Sequence, residues 1–241
     1  LIDMMNLTET VLYSCGISLF TSFGIQKVEA KRPNILFIMT DQQRYDMLSC
    51  AGNRYVHTPS LDQLAENGVR FERNYCANPV SMPSRFAMIT GRFAGEIGYT
   101  NNSTKPDTLR VLPVARESSV GNLFRNAGYE TIYSGYPGFY CGRTDITDYG
   151  FIQNGMDFYD GPSNFAESFF AGYKPEEDKP FFLYLSFMNP HDICYGAGFD
   201  PRFPDKLRPH QIAATQKYIN FRKTLSEEEY RNQIPPVPAN M

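Results

Sequence analysis

One stretch decides the fold of this chain, Pro79-Val-Ser-Met-Pro-Ser-Arg-Phe-Ala-Met-Ile-Thr-Gly-Arg92. Its residues predict a loop that enters a short helix, with Ser81 near the N-cap, Pro83 in the first turn and Gly91 as the terminator. A helix start directs N–H groups and a positive dipole end at whatever Ser81 holds, which suits an anion. Arg85 lies one turn further on and can add charge-assisted hydrogen bonds at the same point. These residues predict an anion site with a candidate oxygen nucleophile.

The segments around this stretch alternate between strand and helix patterns. Three apolar runs predict strands, namely Asn34–Thr40, Tyr129–Ser134 and Pro180–Phe187. The first of them is uninterrupted, which is typical of a strand that is covered on both faces. Helices are predicted at 58–68, with Gly68 as a left-handed stop, and at 120–128. Strands separated by helices need crossover connections, so the sequence predicts an α/β fold with a largely parallel, mixed sheet flanked by helices.

The composition excludes several classes of protein. The 23 basic and 26 acidic side chains give a net charge of −3, which provides no basic field for nucleic acid. The 241 residues are 42% hydrophobic and 15% aromatic, too rich in core-forming side chains for a disordered protein. The five cysteines include no C-x-x-C pair, so neither a disulfide scaffold nor such a zinc site is indicated. A globular protein without a nucleic-acid partner is predicted.

The first thirty residues differ from the rest. Val11–Phe20 is an apolar run too short to span a bilayer and about as long as the apolar core of a secretory signal. The acidic flank (Asp3, Glu9) is unlike the basic start of most signals, and an amphipathic N-terminal helix is the alternative. We expect residues 1–30 to be an export segment that leads to the periplasm or cell surface of a bacterium, without stable membrane insertion. If they are not a signal, the chain stays in the cytoplasm.

Polar residues follow two of the predicted strands, where ligands bind in open α/β sheets. Asp41 and Gln42 follow the first strand and carry the hard oxygen donors that Ca²⁺ or Mg²⁺ selects, although a turn or helix cap has the same pattern. Pro190 ends the last strand and presents His191 where the sheet opens. A histidine there is either a structural residue or part of a site.

The motif and its neighbours resemble a known family. Ser81-x-Pro-Ser-Arg85 followed by Thr90-Gly91 resembles the sulfatase signature in its serine-type form. Three further segments are similar to the family's metal loop, its next helix and strand, and its later strand with a histidine, namely Pro33–Arg44, His57–Phe71 and Phe181–His191. They follow the family order, so the chain is identified as a member of the sulfatases within the alkaline phosphatase superfamily. The resemblance implies that fold.

The resemblance also implies a chemistry. In sulfatases the signature Ser or Cys is oxidised to formylglycine, whose hydrated aldehyde attacks sulfur and then releases sulfate by collapsing back to the aldehyde. Ser81 would be the modified residue, Arg85 would support it, and His191 would contact the sulfate or help the alcohol to leave. Ca²⁺, or else Mg²⁺, would be held by Asp41, Gln42 and Ser81. The implied partners are a formylglycine maturation enzyme and a sulfated glycan or small sulfate ester, with glycosaminoglycan O- or N-sulfates as the leading prediction.

Two departures from the family pattern limit this reading. Family members carry a Gly-Lys-x-His segment where this chain has Ser134–Tyr140, and Arg143 is the nearest candidate to replace the lost charge. The family also completes its metal site from a later strand, whereas Asp192, Asp200 and Asp205 lack a strand context. We therefore expect residues 31–241 to be the N-terminal part of a sulfatase catalytic domain that is incomplete at its C-terminus. A non-catalytic sulfatase-like protein and a phosphonate or phosphate monoester hydrolase remain the alternatives.

Overall fold

A computed structural model of the chain describes residues 32–102, 113–136, 145–154, 160–175, 179–191, 216, 220–221 and 223–233. Several predictions lie outside these residues, among them the export segment 1–30, Arg143 and the three aspartates that follow His191. Those predictions are not tested by the fold. Within the described ranges, none of the helices has the length and apolar character needed to cross a bilayer.

Among the residues that the structure describes, four strands form one sheet. They are β1 (Ile35–Asp41), β2 (Glu130–Gly135), β3 (Ile152–Asn154) and β4 (Phe181–Pro190). The spatial order is β1-β4-β2-β3, and each of the three strand pairs is parallel. Parallel neighbours need crossover connections, and the sequence order β1, β2, β3, β4 is accordingly not the spatial order. The predicted α/β fold with a largely parallel sheet and flanking helices is confirmed.

The described residues form six α-helices, which lie between and after the strands. They are α1 (Pro59–Asn67), α2 (Ser81–Thr90), α3 (Pro113–Glu117), α4 (Val120–Asn126), α5 (Gly161–Gly172) and α6 (Glu227–Gln233). Gly91 ends α2 at φ 67° with its N–H donating to Ala87 O, as predicted for a left-handed terminator. Gly68 is extended at φ −138° after α1, so its predicted left-handed conformation is wrong. A Cβ at Gly68 would lie 2.9 Å from Leu64 O, so the close approach of the backbone is what glycine permits there.

Apolar side chains pack on both faces of β4, as its apolar sequence indicates. Phe182 and Tyr184 face a core that also contains Phe86 of α2 and Tyr133 of β2. The alternate residues Phe181, Leu183 and Leu185 face a second core, which α5 covers. Fully burying an aromatic or leucine side chain contributes about 1.5–3 kcal/mol, so β4 is the strand around which the described structure is built.

The prediction that β1 is covered on both faces is wrong for the described residues. Leu36 and Ile38 are 44% and 51% exposed on one face, and Phe37 is 37% exposed on the other. The reason is that the two cores of the described structure lie over β2 and β4, and from β1 Ile35 and Met39 pack against the first of these cores. The strand predicted within 57–71 is also absent, since Val69 and Phe71 lie in irregular backbone and are 79% and 74% exposed.

A carboxylate joins α1 to the short 3₁₀ turn at Ser49–Ala51. Asp62 of α1 accepts hydrogen bonds from Ser49 Oγ at 2.7 Å and from Cys50 N at 2.8 Å. Thr58 Oγ1 lies 3.3 Å from the same carboxylate. The hydrogen bond from Ser49 is the main reason why the pKa of Asp62 is lower than usual.

The sequence 226–229 begins α6 with the capping box that its residue types indicate. Ser226 N donates to Glu229 Oε2 at 2.7 Å, and Glu229 N donates to Ser226 Oγ at 3.2 Å. These reciprocal hydrogen bonds fix the start of α6 after Ser226. The side-chain hydrogen bond from Ser226 also lowers the pKa of Glu229.

Candidate active site

The carboxyl ends of β1 and β4 lie next to each other. The pairing between them runs from Ile35 opposite Phe182 to Met39 opposite Ser186, and then shifts so that Asp41 is opposite Pro190. This irregularity places the Asp41 carboxylate at the open end of the sheet, beside the residue that precedes His191. Gln42 follows with φ 61°, a left-handed conformation that is uncommon for a residue with a side chain.

Helix α2 starts at the same end of the sheet. Ser81 is its first residue, and the N-cap is Val80, whose side chain makes no capping hydrogen bond. Met82 N–H donates to Asn102 Oδ1 at 3.1 Å, and Pro83 has no N–H to offer. The helix start is therefore less open to an anion than its sequence indicates, because one N–H is already used and another does not exist.

Ser81 and Arg85 both bind the Asp41 carboxylate. Ser81 Oγ donates to Asp41 Oδ1 at 3.0 Å, and Arg85 Nη2 donates to Asp41 Oδ2 at 2.8 Å. The Arg85 side chain is only 3% exposed and that of Asp41 only 6%. Because each carboxylate oxygen has its own donor, the orientation of Asp41 is fixed and the Ser81 hydroxyl is held at the mouth of the sheet. The sequence placed Ser81 and Arg85 on one side of α2, and the structure agrees.

The other side of the Arg85 guanidinium contacts β4 and the end of β2. Arg85 Nη1 donates to Ser186 Oγ at 2.6 Å and to Tyr136 O at 3.2 Å. The guanidinium carbon lies 4.7 Å from the centroid of the Tyr136 ring, within the range of a cation–π contact. Arg85 therefore joins three neighbouring strands, the ends of β1 and β2 and the middle of β4. Sequence reasoning missed Ser186, although a serine within the apolar run of β4 was a signal that could have found it.

Tyr136 lies in the segment where the resemblance leads one to expect a lysine. Its carbonyl oxygen also accepts from Ser186 Oγ at 2.6 Å and from Tyr133 Oη at 2.8 Å. Its side chain is buried and places a neutral aromatic ring, not a second cation, against Arg85. The charge that the family has at this point is therefore absent from the described structure.

Two buried phenols lie beneath this site. Burial raises the pKa of Tyr133, and the positive charge of Arg85 opposes that rise only in part. Burial and the neighbouring Tyr133 raise the pKa of Tyr184 as well, and the two rings stack with centroids 4.7 Å apart. Both phenols stay protonated at neutral pH, so Tyr133 remains a hydrogen-bond donor to the Tyr136 carbonyl.

One cavity of about 490 Å³ collects the residues that the sequence predicted for the site. Its walls include Asp41, Gln42, Ser81, Arg85 and His191. The remaining walls come mainly from the loop before α2, from α2 and from the end of β1, namely Met39, Thr40, Gln43, Cys76, Asn78, Pro79, Val80, Ser84, Met88 and Asn102. This volume lies within the range of small-molecule sites, and it is large enough for a monosaccharide derivative.

The oxygen donors in the cavity fit a hard divalent cation in kind. A carboxylate, an amide and a hydroxyl from Asp41, Gln42 and Ser81 are the ligand types that Ca²⁺ and Mg²⁺ prefer. Ca²⁺ takes about six to eight oxygen ligands, so these three would supply only part of a coordination sphere. Among the described residues there is no group of three or more His, Cys, Asp or Glu side chains that could hold a metal ion.

The parallel sheet with a polar cavity at its carboxyl edge defines the class of open α/β proteins that bind ligands beyond the carboxyl ends of their strands. Within that class, the family model described as Sulfatase matches residues 33–227. The chain belongs to the sulfatase family. The predicted family membership is thereby confirmed.

Relatives and solved structures agree with this assignment. N-acetylglucosamine-6-O-sulfatase of Bacteroides thetaiotaomicron is 35% identical over 130 residues, which are 54% of this chain and 22% of that protein. A solved protein in complex with its substrate, D-glucosamine-2-N,6-O-disulfate, superposes on this chain with a TM-score of 0.51 at 26% identity. The match covers 74% of this chain and 39% of the solved chain. A 2-O GAG sulfatase superposes with a TM-score of 0.57 at 24% identity, over 68% of this chain and 36% of that one, which supports the fold.

The matched proteins are much longer than the part that this chain covers. The chain spans about a fifth of the first relative's length and less than two fifths of either solved chain. The activity and substrates of those longer proteins do not transfer directly to this chain.

Proposed function

We propose that this chain contributes the nucleophile side of a formylglycine-dependent sulfatase, a hydrolase that removes sulfate from a sulfated carbohydrate. One observation carries this proposal most directly. In a chain of the sulfatase family, the signature serine donates its hydroxyl to the buried Asp41–Arg85 pair at the wall of a cavity. A hydroxyl at a merely structural position would not need to face a cavity that also contains Gln42 and His191.

Each cavity residue has a role in this proposal. Ser81 is the residue that a maturation enzyme would oxidise to formylglycine, and Arg85 keeps the neighbouring Asp41 carboxylate in one orientation. Asp41, Gln42 and Ser81 would hold Ca²⁺ or Mg²⁺, and the bound cation would neutralise charge on the sulfate oxygens. His191 follows β4, whose carboxyl end lies next to that of β1, and from there it can contact the sulfate or give a proton to the leaving alcohol.

The substrate class comes from the relatives and from the size of the cavity. One relative is named as an N-acetylglucosamine-6-O-sulfatase, and one solved neighbour holds a disulfated glucosamine. A cavity of about 490 Å³ accepts a sulfated sugar of that size. We infer that the substrate is a sulfated amino sugar, such as a glycosaminoglycan O-sulfate or N-sulfate.

A second candidate is a sulfatase-like protein that binds a sulfated glycan without hydrolysing it. Tyr136 favours this candidate, because its neutral ring lies where the family has a lysine. Loss of one preorganised donor to a developing charge costs about 10²–10³ in rate, which would reduce turnover strongly without preventing binding.

Sulfate release separates the two candidates. The full-length protein that contains this chain is produced together with a serine-type maturation enzyme and given N-acetylglucosamine-6-sulfate, and free sulfate is measured by ion chromatography. We expect release that Ser81→Ala abolishes. The matched control is Ser168→Ala, which removes an exposed serine on α5 whose hydroxyl bonds Asn164 O, and it should leave the rate unchanged. Sugar binding without sulfate release would favour the non-catalytic candidate.

We further propose that residues 1–30 direct export to the periplasm or cell surface. The apolar run Val11–Phe20 supports this proposal. Amino-terminal sequencing of the protein from a bacterial periplasmic fraction should show that this segment has been removed. A cytoplasmic protein that retains the segment would contradict it.

A further inference from the structure

Ser186 is a fully buried hydroxyl in the middle of an apolar strand. Its neighbours on β4, Leu185 and Phe187, belong to or pack against the core that α5 covers. A hydroxyl in such a place costs free energy unless its hydrogen bonds are satisfied. The Ser186 hydroxyl is satisfied both as a donor and as an acceptor. It donates to Tyr136 O at 2.6 Å and accepts from Arg85 Nη1 at 2.6 Å. An alanine would complete the sheet equally well, so the fold alone does not require this hydroxyl.

The position of Ser186 relative to β2 is set closely by the backbone. Tyr136 N donates to Ser186 O at 2.8 Å, so the two residues exchange hydrogen bonds through backbone and side chain. This approach is possible because the residue before Tyr136 is Gly135, with φ 99°, where a Cβ would overlap the Ser186 carbonyl and the Pro162 ring. The backbone therefore fixes the position of the Ser186 hydroxyl independently of its hydrogen bond with the guanidinium.

The guanidinium of Arg85 links the Ser186 hydroxyl to the Asp41 carboxylate, so the position of one affects the other. The central carbon of the guanidinium lies 4.7 Å from the centroid of the Tyr136 ring, and the hydrogen bond from Nη1 to Ser186 Oγ limits rotation of the guanidinium. With Nη1 held by Ser186, Nη2 is directed at Asp41 Oδ2. Asp41 Oδ1 is thereby left to accept from Ser81.

We propose that Ser186 is a positioning residue for the catalytic site: it holds Arg85 so that Asp41 presents one oxygen to Ser81 and the cation. This inference depends on the proposed function, because it assigns Asp41 to the cation. Without the Ser186 hydroxyl, Nη1 keeps only the 3.2 Å contact with the Tyr136 carbonyl, and the guanidinium can rotate.

The test compares four variants of the full-length protein with wild type. Ser186→Ala removes the hydroxyl, Ser186→Cys keeps its size but hydrogen-bonds more weakly, and Ser119→Ala is the matched control. Ser119 is also fully buried, donates to a backbone carbonyl (Tyr149 O, 3.0 Å) and accepts from a side-chain N–H (Asn122 Nδ2, 3.0 Å), but it lies outside the site. Asp41→Asn serves as the reference for direct loss of the cation ligand.

Two readouts are used. Calorimetric titration with CaCl₂ should show affinity about 10- to 100-fold weaker for Ser186→Ala, the usual effect of removing a group that orients a ligand. Ser186→Cys should fall between it and wild type, and Ser119→Ala should match wild type. The nitrogen-15 spectrum of the Arg85 side chain should show separate Nη hydrogens in wild type and in Ser119→Ala, because hydrogen bonds slow guanidinium rotation. Those signals should merge in Ser186→Ala.

The outcomes distinguish the two claims. If Asp41→Asn weakens Ca²⁺ binding but Ser186→Ala and Ser186→Cys do not, the positioning role is wrong and the proposed cation site stands. If wild type binds no Ca²⁺, the proposed cation site fails, and the positioning role fails with it. Whatever the Ca²⁺ titration shows, the Arg85 spectrum tests the hydrogen bond itself. If the Nη hydrogens of Arg85 stay separate in both Ser186 variants, as in wild type, the Ser186 hydroxyl does not hold the guanidinium.

Discussion

At the scale of single residues, the guanidinium of Arg85 decides how the site is built. It makes an ion pair with Asp41 at 2.8 Å and a hydrogen bond with Ser186 at 2.6 Å, all within a buried environment. A buried carboxylate that loses its cationic partner is left uncompensated in a poorly solvating interior. Stability and site geometry therefore depend on the same side chain.

Replacing this guanidinium should destabilise the protein strongly. Arg85→Met keeps much of the side-chain length but leaves Asp41 unpaired, so we expect a loss of about 3–5 kcal/mol in the free energy of unfolding by urea. Arg231→Met is the control, because its ion pair with Glu227 is well exposed, and it should change stability by less than about 0.5 kcal/mol. Equal effects of the two substitutions would contradict a buried role for Arg85.

The sequence was informative about residues that share a helix or a motif and less so about residues far apart. Ser81 and Arg85 lie one turn apart on α2, and helix geometry alone predicted that they face one point. Ser186 is separated from Arg85 by 101 positions and Asn102 from Met82 by 20, and only tertiary packing brings those pairs together. That distance in sequence explains why both partners were missed.

At the scale of secondary structure elements, Gly135 brings the backbone of β2 close to that of β4. Its φ of 99° is available to glycine at little cost, and the space beside it is filled by Ser186 and Pro162. We expect Gly135→Ala to lower the free energy of unfolding by at least about 2 kcal/mol, because it adds both backbone strain and overpacking. Urea unfolding measures this loss. Gly172→Ala, at the end of α5 where a Cβ meets nothing within 4 Å, should be close to neutral, and a similar loss there would contradict this explanation.

The Asp62 carboxylate, which hydrogen-bonds α1 to the 3₁₀ turn, should make the stability of the folded protein depend on pH. The folded pKa of Asp62 is lower than its usual value, so its contribution is full above about pH 4 and is lost as pH falls through the folded value. Asp62→Asn should therefore lower the melting temperature at pH 7, and the difference from wild type should shrink below pH 4. Asp160→Asn, whose side chain makes no capping hydrogen bond, is the control. A difference that does not vary with pH would contradict the assignment to the Asp62 charge.

Apolar patterns predicted the elements better than they predicted burial. The runs at 34–40, 129–134 and 180–187 correspond to β1, β2 and β4 within two or three residues. The same pattern overestimated the burial of β1, since it shows which residues could be buried but not whether a neighbour covers them. Tertiary context decides the second question. The strand expected within 57–71 came from the family resemblance and is absent, since Val69 and Phe71 lie in irregular backbone.

At the scale of the whole molecule, the described sheet ends at a strand with an open edge and an exposed apolar face. The cavity beside that strand contains the serine motif, one buried carboxylate and one histidine, and Tyr136 replaces an expected cation. The sequence predicted the family, the fold class and the shared location of Asp41, Gln42, Ser81, Arg85 and His191. Arg143 and the aspartates after His191 lie outside the described residues, so their roles stay predictions.

The state of Ser81 tests the central claim most directly. The full-length protein is produced with and without a serine-type maturation enzyme, and the tryptic peptide Asn74–Arg85 is analysed by mass spectrometry. We predict a species lighter by two hydrogens at Ser81 only when the maturation enzyme is present, and none in Ser81→Ala. If Ser81 stays unmodified while a known serine-type sulfatase is converted in the same cells, the formylglycine-dependent account of this protein is wrong.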